Sequence, residues 1–217
     1  MTLWLARVVL AKELLESRDC GRPVYSKFTD DYRIHQTSWE FFPGRADEAR
    51  DFLTRLQGTG EGRCFYILSR EEPVRPSWCA ERFFAVRQVP ESFLTFRQYR
   101  FSLLANPTKK VHAFTSENVR KKQGARQAIF RENDLKEWFR RKGEANGFRA
   151  CEGSLLIGKP ENRFFRKKGC SGKHTVVEFT GVLEVTDREL FAQAFEKGIG
   201  TSKGFGYGML MLAPVMN

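Results

Sequence analysis

The chain has 217 residues, enough for one large domain or two of about 100 residues, and it can bury a sizeable core. Its formal charge of +11, from 37 Lys and Arg against 26 Asp and Glu, points to a polyanionic partner, with nucleic acid ahead of a membrane surface. Five scattered cysteines without a C-x-x-C pair argue against a disulfide framework, and no apolar run approaches the roughly 18 residues of a spanning helix, so a cytoplasmic protein with no membrane partner is expected.

Trp4 to Leu10 is apolar and β-branched and predicts an opening, largely buried strand rather than a cleaved leader. Residues 11 to 30 are mixed and polar, broken at Cys20-Gly21-Arg22-Pro23, and read as a loop. Asp30 or Asp31 can cap a helix whose Tyr32, Ile34, His35, Trp39 and Phe42 give a recurrent apolar or aromatic side, interrupted at Pro43-Gly44. Ala46 to Leu56 resumes helical spacing, with Ala49, Phe52, Leu53 and Leu56 on one face and Arg50 and Arg55 directed elsewhere. Arg63 to Ser69 and Arg82 to Val89 read as strands, separated by a proline-containing turn at Glu71 to Pro76.

Tyr99 to Ala105 alternates and ends at Asn106-Pro107, predicting another strand. Residues 108 to 127 hold Lys109, Lys110, Arg120, Lys121, Lys122 and Arg126 among few apolar residues and read as a mobile basic segment. Asn133 or Asp134 can cap a helix through Leu135 to Lys142 whose outer face, with Arg140 and Arg141, is strongly positive. Phe148 to Ile157 and Thr175 to Val185 predict strands, with a basic hairpin tip from Asn162 to Lys173 between them. Asp187 caps a further helix through Leu190, Phe191, Ala194 and Phe195. The chain then enters Gly198 to Gly208, which holds five glycines and Lys203, before a terminal strand through Met209 to Pro214.

From residue 99 onward this order is strand, helix, strand, strand, helix, strand, a ferredoxin-like unit. The first half repeats its opening, so the expected fold is α+β, two tandem ferredoxin-like (βαββαβ) domains, at residues 1–95 and 96–217. Residues 90 to 98 leave little room for the first unit's second helix.

Among the three histidines, His112 and His174 read as structural or surface groups, whereas His35 has Tyr32 one turn away on the same helical face. RNA cleavage offers that pair a specific use. The 2′-hydroxyl attacks its own phosphate once a proton is removed from it and another is given to the 5′-oxygen, and an imidazole can perform either transfer without a metal. Lys203 and the amides of Gly204 and Gly206 are candidate donors to the charged phosphorane. Asp30-Asp31 and Glu71-Glu72 are isolated acidic pairs, and Cys170 with His174 makes a poor metal site, so no metal or other cofactor is expected. Arg163, Arg166, Lys167 and Lys168 of the hairpin could enter an RNA groove, with Arg140 and Arg141 extending the track.

Tyr32-Arg33-Ile34-His35-Gln36 leading into Trp39, Phe42-Pro43 and Ala49-Arg50-Asp51-Phe52-Leu53 resembles the signature of the CasE family of CRISPR repeat-processing endoribonucleases. Tyr99 to Pro107, Phe179 to Val185 and Gly198 to Pro214 look like the family's later segments, in the right order. The resemblance implies two ferredoxin-like domains and metal-independent cleavage at the base of a repeat stem-loop. It implies catalytic roles for His35 and Tyr32, a groove-contacting role for the hairpin, and retention of the product RNA beside other Cascade subunits. The alternative from another class is a non-catalytic RNA-binding scaffold using the same positive surface.

Overall fold

The computed structural model describes residues 2–45, 48–111, 125–167 and 170–216. In the N-terminal half, β1 (Trp4–Val9), α1 (Asp31–Trp39), β2 (Leu53–Gln57), β3 (Cys64–Ser69) and β4 (Phe84–Gln88) follow in sequence. The strands form one antiparallel sheet in the order β2-β3-β1-β4, the arrangement of a ferredoxin-like unit. Its second helix is missing. Between β3 and β4 the chain carries Pro73 and Pro76, which cannot supply helical N–H groups, and ends in a 3-10 turn at Glu81–Phe83. Trp78 fills the space instead, edge-on to Phe28 and Phe41 at 6.0 and 5.9 Å.

In the C-terminal half come β5 (Gln98–Ala105), α2 (Glu132–Glu144), β6 (Phe148–Ala150), β7 (Glu161–Lys167), β8 (Cys170–Val185), α3 (Arg188–Lys197) and β9 (Leu210–Pro214). The sheet order β6-β8-β5-β9 is the same ferredoxin-like arrangement, here with both helices. β8 has 16 residues and serves two purposes. Its second part pairs with β5 from Val177 to Glu184, while its first part pairs with β7 from Cys170 to Val176. That first part stands out of the sheet as a hairpin about 20 Å long, at the usual strand rise.

Several local expectations change. Of the helix expected from Ala46 to Leu56, residues 46–47 lie outside the described residues and the rest ends in strand β2: Leu53 pairs with Leu68 and Leu56 with Phe65. The cause is burial on both faces. Phe52 stacks on Phe42 at 4.4 Å in the N-terminal core, whereas Leu53 joins Leu68, Phe195 and Met209 in a cluster shared by the two sheets. A strand covered on both sides loses its alternation, and the apolar residues then mimic a helical period. Residues 11 to 30 are ordered into a short helix at Lys12–Glu16, a two-strand turn through Cys20 and Gly21, both at positive φ, and a 3-10 turn at Val24–Phe28. The strand expected over Phe148 to Ile157 is split into β6 and Leu156–Ile157, both pairing with β8. In the basic segment, Thr108–Val111 pairs with Ala125–Ala128, while His112, Arg120, Lys121 and Lys122 lie outside the described residues. α2 begins at Glu132, with Arg131 rather than Asn133 or Asp134 at its N-cap.

Each half buries an aromatic core. Phe28, Phe41, Phe65 and Trp78 fill the first, and Phe101, Trp138, Phe139, Phe148 and Phe179 the second. Each such side chain contributes about 1.5–3 kcal/mol by leaving water. Among the described residues, no helix is long and apolar enough to cross a membrane.

Candidate active site

The Asp30 carboxylate accepts from the backbone N–H groups of Tyr32 and Arg33 at 2.8 and 3.0 Å, which starts α1 at a fixed residue. Tyr32 and His35 therefore fall one turn apart on one half-buried face, their ring centroids 6.3 Å apart. That face meets the glycine-rich loop. His35 Nδ1 lies 2.9 Å from the Gly204 carbonyl oxygen, and the Phe205 ring is 5.7 Å from the imidazole.

The loop is shaped by Ser202 and Gly206, at φ 59° and 87°, which bracket a 3-10 turn over Lys203–Phe205. Gly208 has φ 88° and passes so close to Ile199 that a Cβ there would sit 2.4 Å from its carbonyl oxygen. Sequence reasoning expected bare amides facing a reacting phosphate. The amides of Phe205 and Gly206 instead donate within the turn, to Ser202 and Lys203, and Gly204 presents its carbonyl to His35.

The group that sequence reasoning missed is Arg50. Its Nη1 lies 3.0 Å from His35 Nδ1 and donates to the Gly204 carbonyl, its Nη2 donates to Thr54 Oγ1 at 2.9 Å, and its Nε donates to the Phe52 carbonyl at 3.0 Å. The guanidinium also lies 4.3 Å above the Phe52 ring. Burial lowers its pKa to about 10, and among the described residues no carboxylate pairs with it. Arg50, His35, Lys203, Gly204, Lys197, Arg70 and Glu196 line a cleft of about 570 Å³. Arg70 is bound to Glu196, so the cleft's remaining cations outnumber its carboxylates. Lys203 has its pKa lowered by burial and then by the neighbouring Lys142 and Lys197.

The basic hairpin rises beside this cleft. Phe165 stacks on His174 at 4.7 Å and touches Phe205 at 5.0 Å, so the middle of the hairpin rests on the loop. Arg163 lies over the Tyr207 ring at 6.0 Å, and Phe164 and Arg166 are exposed. Lys167 ends β7, and Lys168 lies outside the described residues. His174 is buried, with Nδ1 3.2 Å from Asp31 Oδ2, and the Tyr207 hydroxyl donates to the same carboxylate oxygen. This buried group ties the first turn of α1 to β8 and to the end of the glycine loop. Arg140 and Arg141 are not brought into the cleft. Arg140 is bound to Glu137 and Glu144, and Arg141 lies 3.7 Å from Glu137, all on the outer face of α2. Among the described residues, no group of three or more His, Cys, Asp and Glu is placed to hold a metal ion.

A family model described as CRISPR associated protein matches residues 3–214. The chain is 29% identical over 220 residues to the CRISPR system Cascade subunit CasE of Escherichia coli strain K12, covering 98% of this chain and 100% of that one. It is 25% identical over 227 residues to the CRISPR-associated endoribonuclease Cse3 of Thermus thermophilus, covering 98% and 100%. Among solved structures it is similar to CRISPR endoribonuclease Cse3 bound to a 19-nucleotide RNA, with a TM-score of 0.77, 25% identity, and 99% and 100% of the two chains covered.

Proposed function

Because the chain belongs to the CRISPR associated protein family, we propose that it is an endoribonuclease that cleaves precursor CRISPR RNA at the base of the repeat stem-loop and stays bound to the product within Cascade. The observation that carries this reading is the Tyr32–His35 pair held against Gly204 and the buried cation Arg50.

The Gly204 carbonyl can only accept, and Arg50 already donates to it. His35 Nδ1 stands between that acceptor at 2.9 Å and Arg50 Nη1, a donor 3.0 Å away; with an Nη1 hydrogen spent on the carbonyl, we assign the His35 proton to Nδ1, which places the neutral ring's lone pair on Nε2. In that tautomer His35 is the general base. It takes the proton of the 2′-hydroxyl as the new bond from 2′-oxygen to phosphorus forms and the bond to the 5′-oxygen breaks. Water protonates the departing 5′-oxygen and the hydroxide so formed takes the proton held by His35, leaving a 5′-hydroxyl, a cyclic phosphate and the neutral imidazole. The Tyr32 hydroxyl hydrogen-bonds the reacting phosphate. The charge growing on phosphorane oxygens meets Arg50 and Lys203 inside a partly desolvated cleft, where fixed cations act most strongly. His35, solvent water and the fixed cations account for every proton and charge in this route, so cutting is expected without a metal. Arg163, Arg166, Lys167 and Lys168 hold the stem, and the units 1–95 and 96–217 supply the catalytic helix and the RNA-holding hairpin respectively.

Incubating repeat RNA with the purified protein in EDTA tests the reading. Defined products with the wild type, and intact but bound RNA with His35→Ala, are expected. Bound, uncut RNA with the wild type would leave a scaffold instead.

A further inference from the structure

We infer that Lys142, Lys197 and Lys203 form a phosphate subsite that takes the backbone of the single-stranded RNA flanking the scissile bond. The inference deepens the nuclease reading and rests on it. Three elements contribute one lysine each: the last turn of α2, the last residue of α3 and the glycine loop. Lys197 and Lys203 line the cleft that holds His35. Lys142 stands 6.0 Å from the Trp138 ring centroid, and the same indole packs on Gly200, where a Cβ would lie 3.4 Å from it. Lys142 is thereby kept beside the loop.

Neighbouring cations of this half are neutralised: Arg140 by Glu137 and Glu144, Lys136 by Glu132, and Arg149 by Glu184. Among the described residues, none of the three lysines has a carboxylate partner. The two carboxylates that line the cleft are paired with arginines, Glu196 with Arg70 and Asp51 with Arg45. A helix dipole accounts for a lysine at the end of α2 and another at the end of α3. It does not account for their meeting a third on the loop, where burial and mutual repulsion oppose the charge of Lys203. A polyanion relieves that repulsion, and a phosphodiester strand offers charges in series.

The loop also fixes the direction of travel. In the turn Lys203–Phe205, Phe205 contacts the hairpin through Phe165, whereas Lys203 faces the cleft with Lys197. A strand leaving a stem held at the hairpin and crossing His35 therefore runs onto the lysines.

The test uses the double variant Lys142→Gln/Lys197→Gln and repeat RNA carrying a 2′-deoxy group at the scissile nucleotide, so that binding is read without cutting. For the stem-loop with its flanks, affinity is expected to fall about tenfold at low salt, with a log–log salt slope shallower by about 1.4, two single-strand contacts at about 0.7 each. For the bare stem-loop, the shift is expected to stay below about twofold. Wild-type affinity and slope on the flanked RNA would overturn the subsite, as would an equal loss on the bare stem-loop. If the wild type shows this lysine-dependent binding yet leaves all-ribose RNA uncut, the subsite stands and the nuclease reading falls.

Discussion

Arg50 Nη1 sits 3.0 Å from His35 Nδ1, and both groups converge on the Gly204 carbonyl. A buried guanidinium without a carboxylate is costly, and here its bonds go to the loop, to Thr54 and to the Phe52 carbonyl. Arg50→Ala is expected to lower the single-turnover cleavage rate by about 10²–10³-fold, the range for losing one fixed donor to a charged intermediate, with a smaller change in affinity. Arg50→Lys restores the charge but not the planar fork, so it should recover only part of the rate. A rate unchanged in Arg50→Ala would remove the residue from the mechanism.

Tyr207→Phe deletes the hydroxyl that donates to the buried Asp31. Urea denaturation at neutral pH should show a loss of about 1–3 kcal/mol, because Asp31 then depends on His174 alone among these partners. Burial first, then the Asp31 charge, raises the phenol's pKa above its ordinary value of 10.0. The folded chain keeps this proton where the unfolded chain releases it, so the contribution is intact below about pH 10 and is lost as pH climbs through the raised pKa. Wild-type stability should therefore drop more steeply than that of Tyr207→Phe above about pH 10.

Two glycines of the loop should respond in opposite ways. At Gly204 an added Cβ meets only Arg50 Nη1 at 3.6 Å and the His35 ring at 3.8 Å, ordinary contacts, so Gly204→Ala should keep stability within about 0.5 kcal/mol. At Gly208 the Cβ would sit 2.4 Å from the Ile199 oxygen at a φ of 88°, so Gly208→Ala should cost about 1–3 kcal/mol or more and lower cleavage through loop displacement. Thermal melting of both variants distinguishes these outcomes.

The hairpin and α2 are separated by salt titration. Arg166→Gln should make the salt slope of stem-loop binding shallower by about 1, as for one lost phosphate contact. Arg140→Gln should leave the slope unchanged, because Glu137 and Glu144 already hold that guanidinium. A shallower slope for Arg140→Gln would mean that RNA breaks those pairs.

The helix that carries Tyr32 and His35 was legible because its start is local chemistry: Asp30 caps, and Tyr32 and His35 follow at one turn's spacing. The C-terminal unit was legible for a similar reason, since α2 and α3 each bury one face and Asp187 caps α3, donated to by the Leu190 N–H at 3.0 Å. Arg50 was hidden by a long-range cause. Phe52 and Leu53 enter two different cores, and the segment imitates a helix until the second sheet is in place. The pairing of Arg140 was written in the sequence, three residues after Glu137 and four before Glu144. The convergence of Lys142 with Lys203 had no such local signal, because Trp138 and Gly200 bring it about across 62 residues of chain.

Phe205 touches the imidazole of His35 on one side and Phe165 of the projecting hairpin on the other. A ligand that tilts the hairpin consequently pushes on His35 through two rings in contact, with no flexible linker between them. With His35 as the base proposed above, selectivity can then arise after docking: an ill-fitting stem leaves the imidazole out of reach of the 2′-hydroxyl, and the strand escapes uncut.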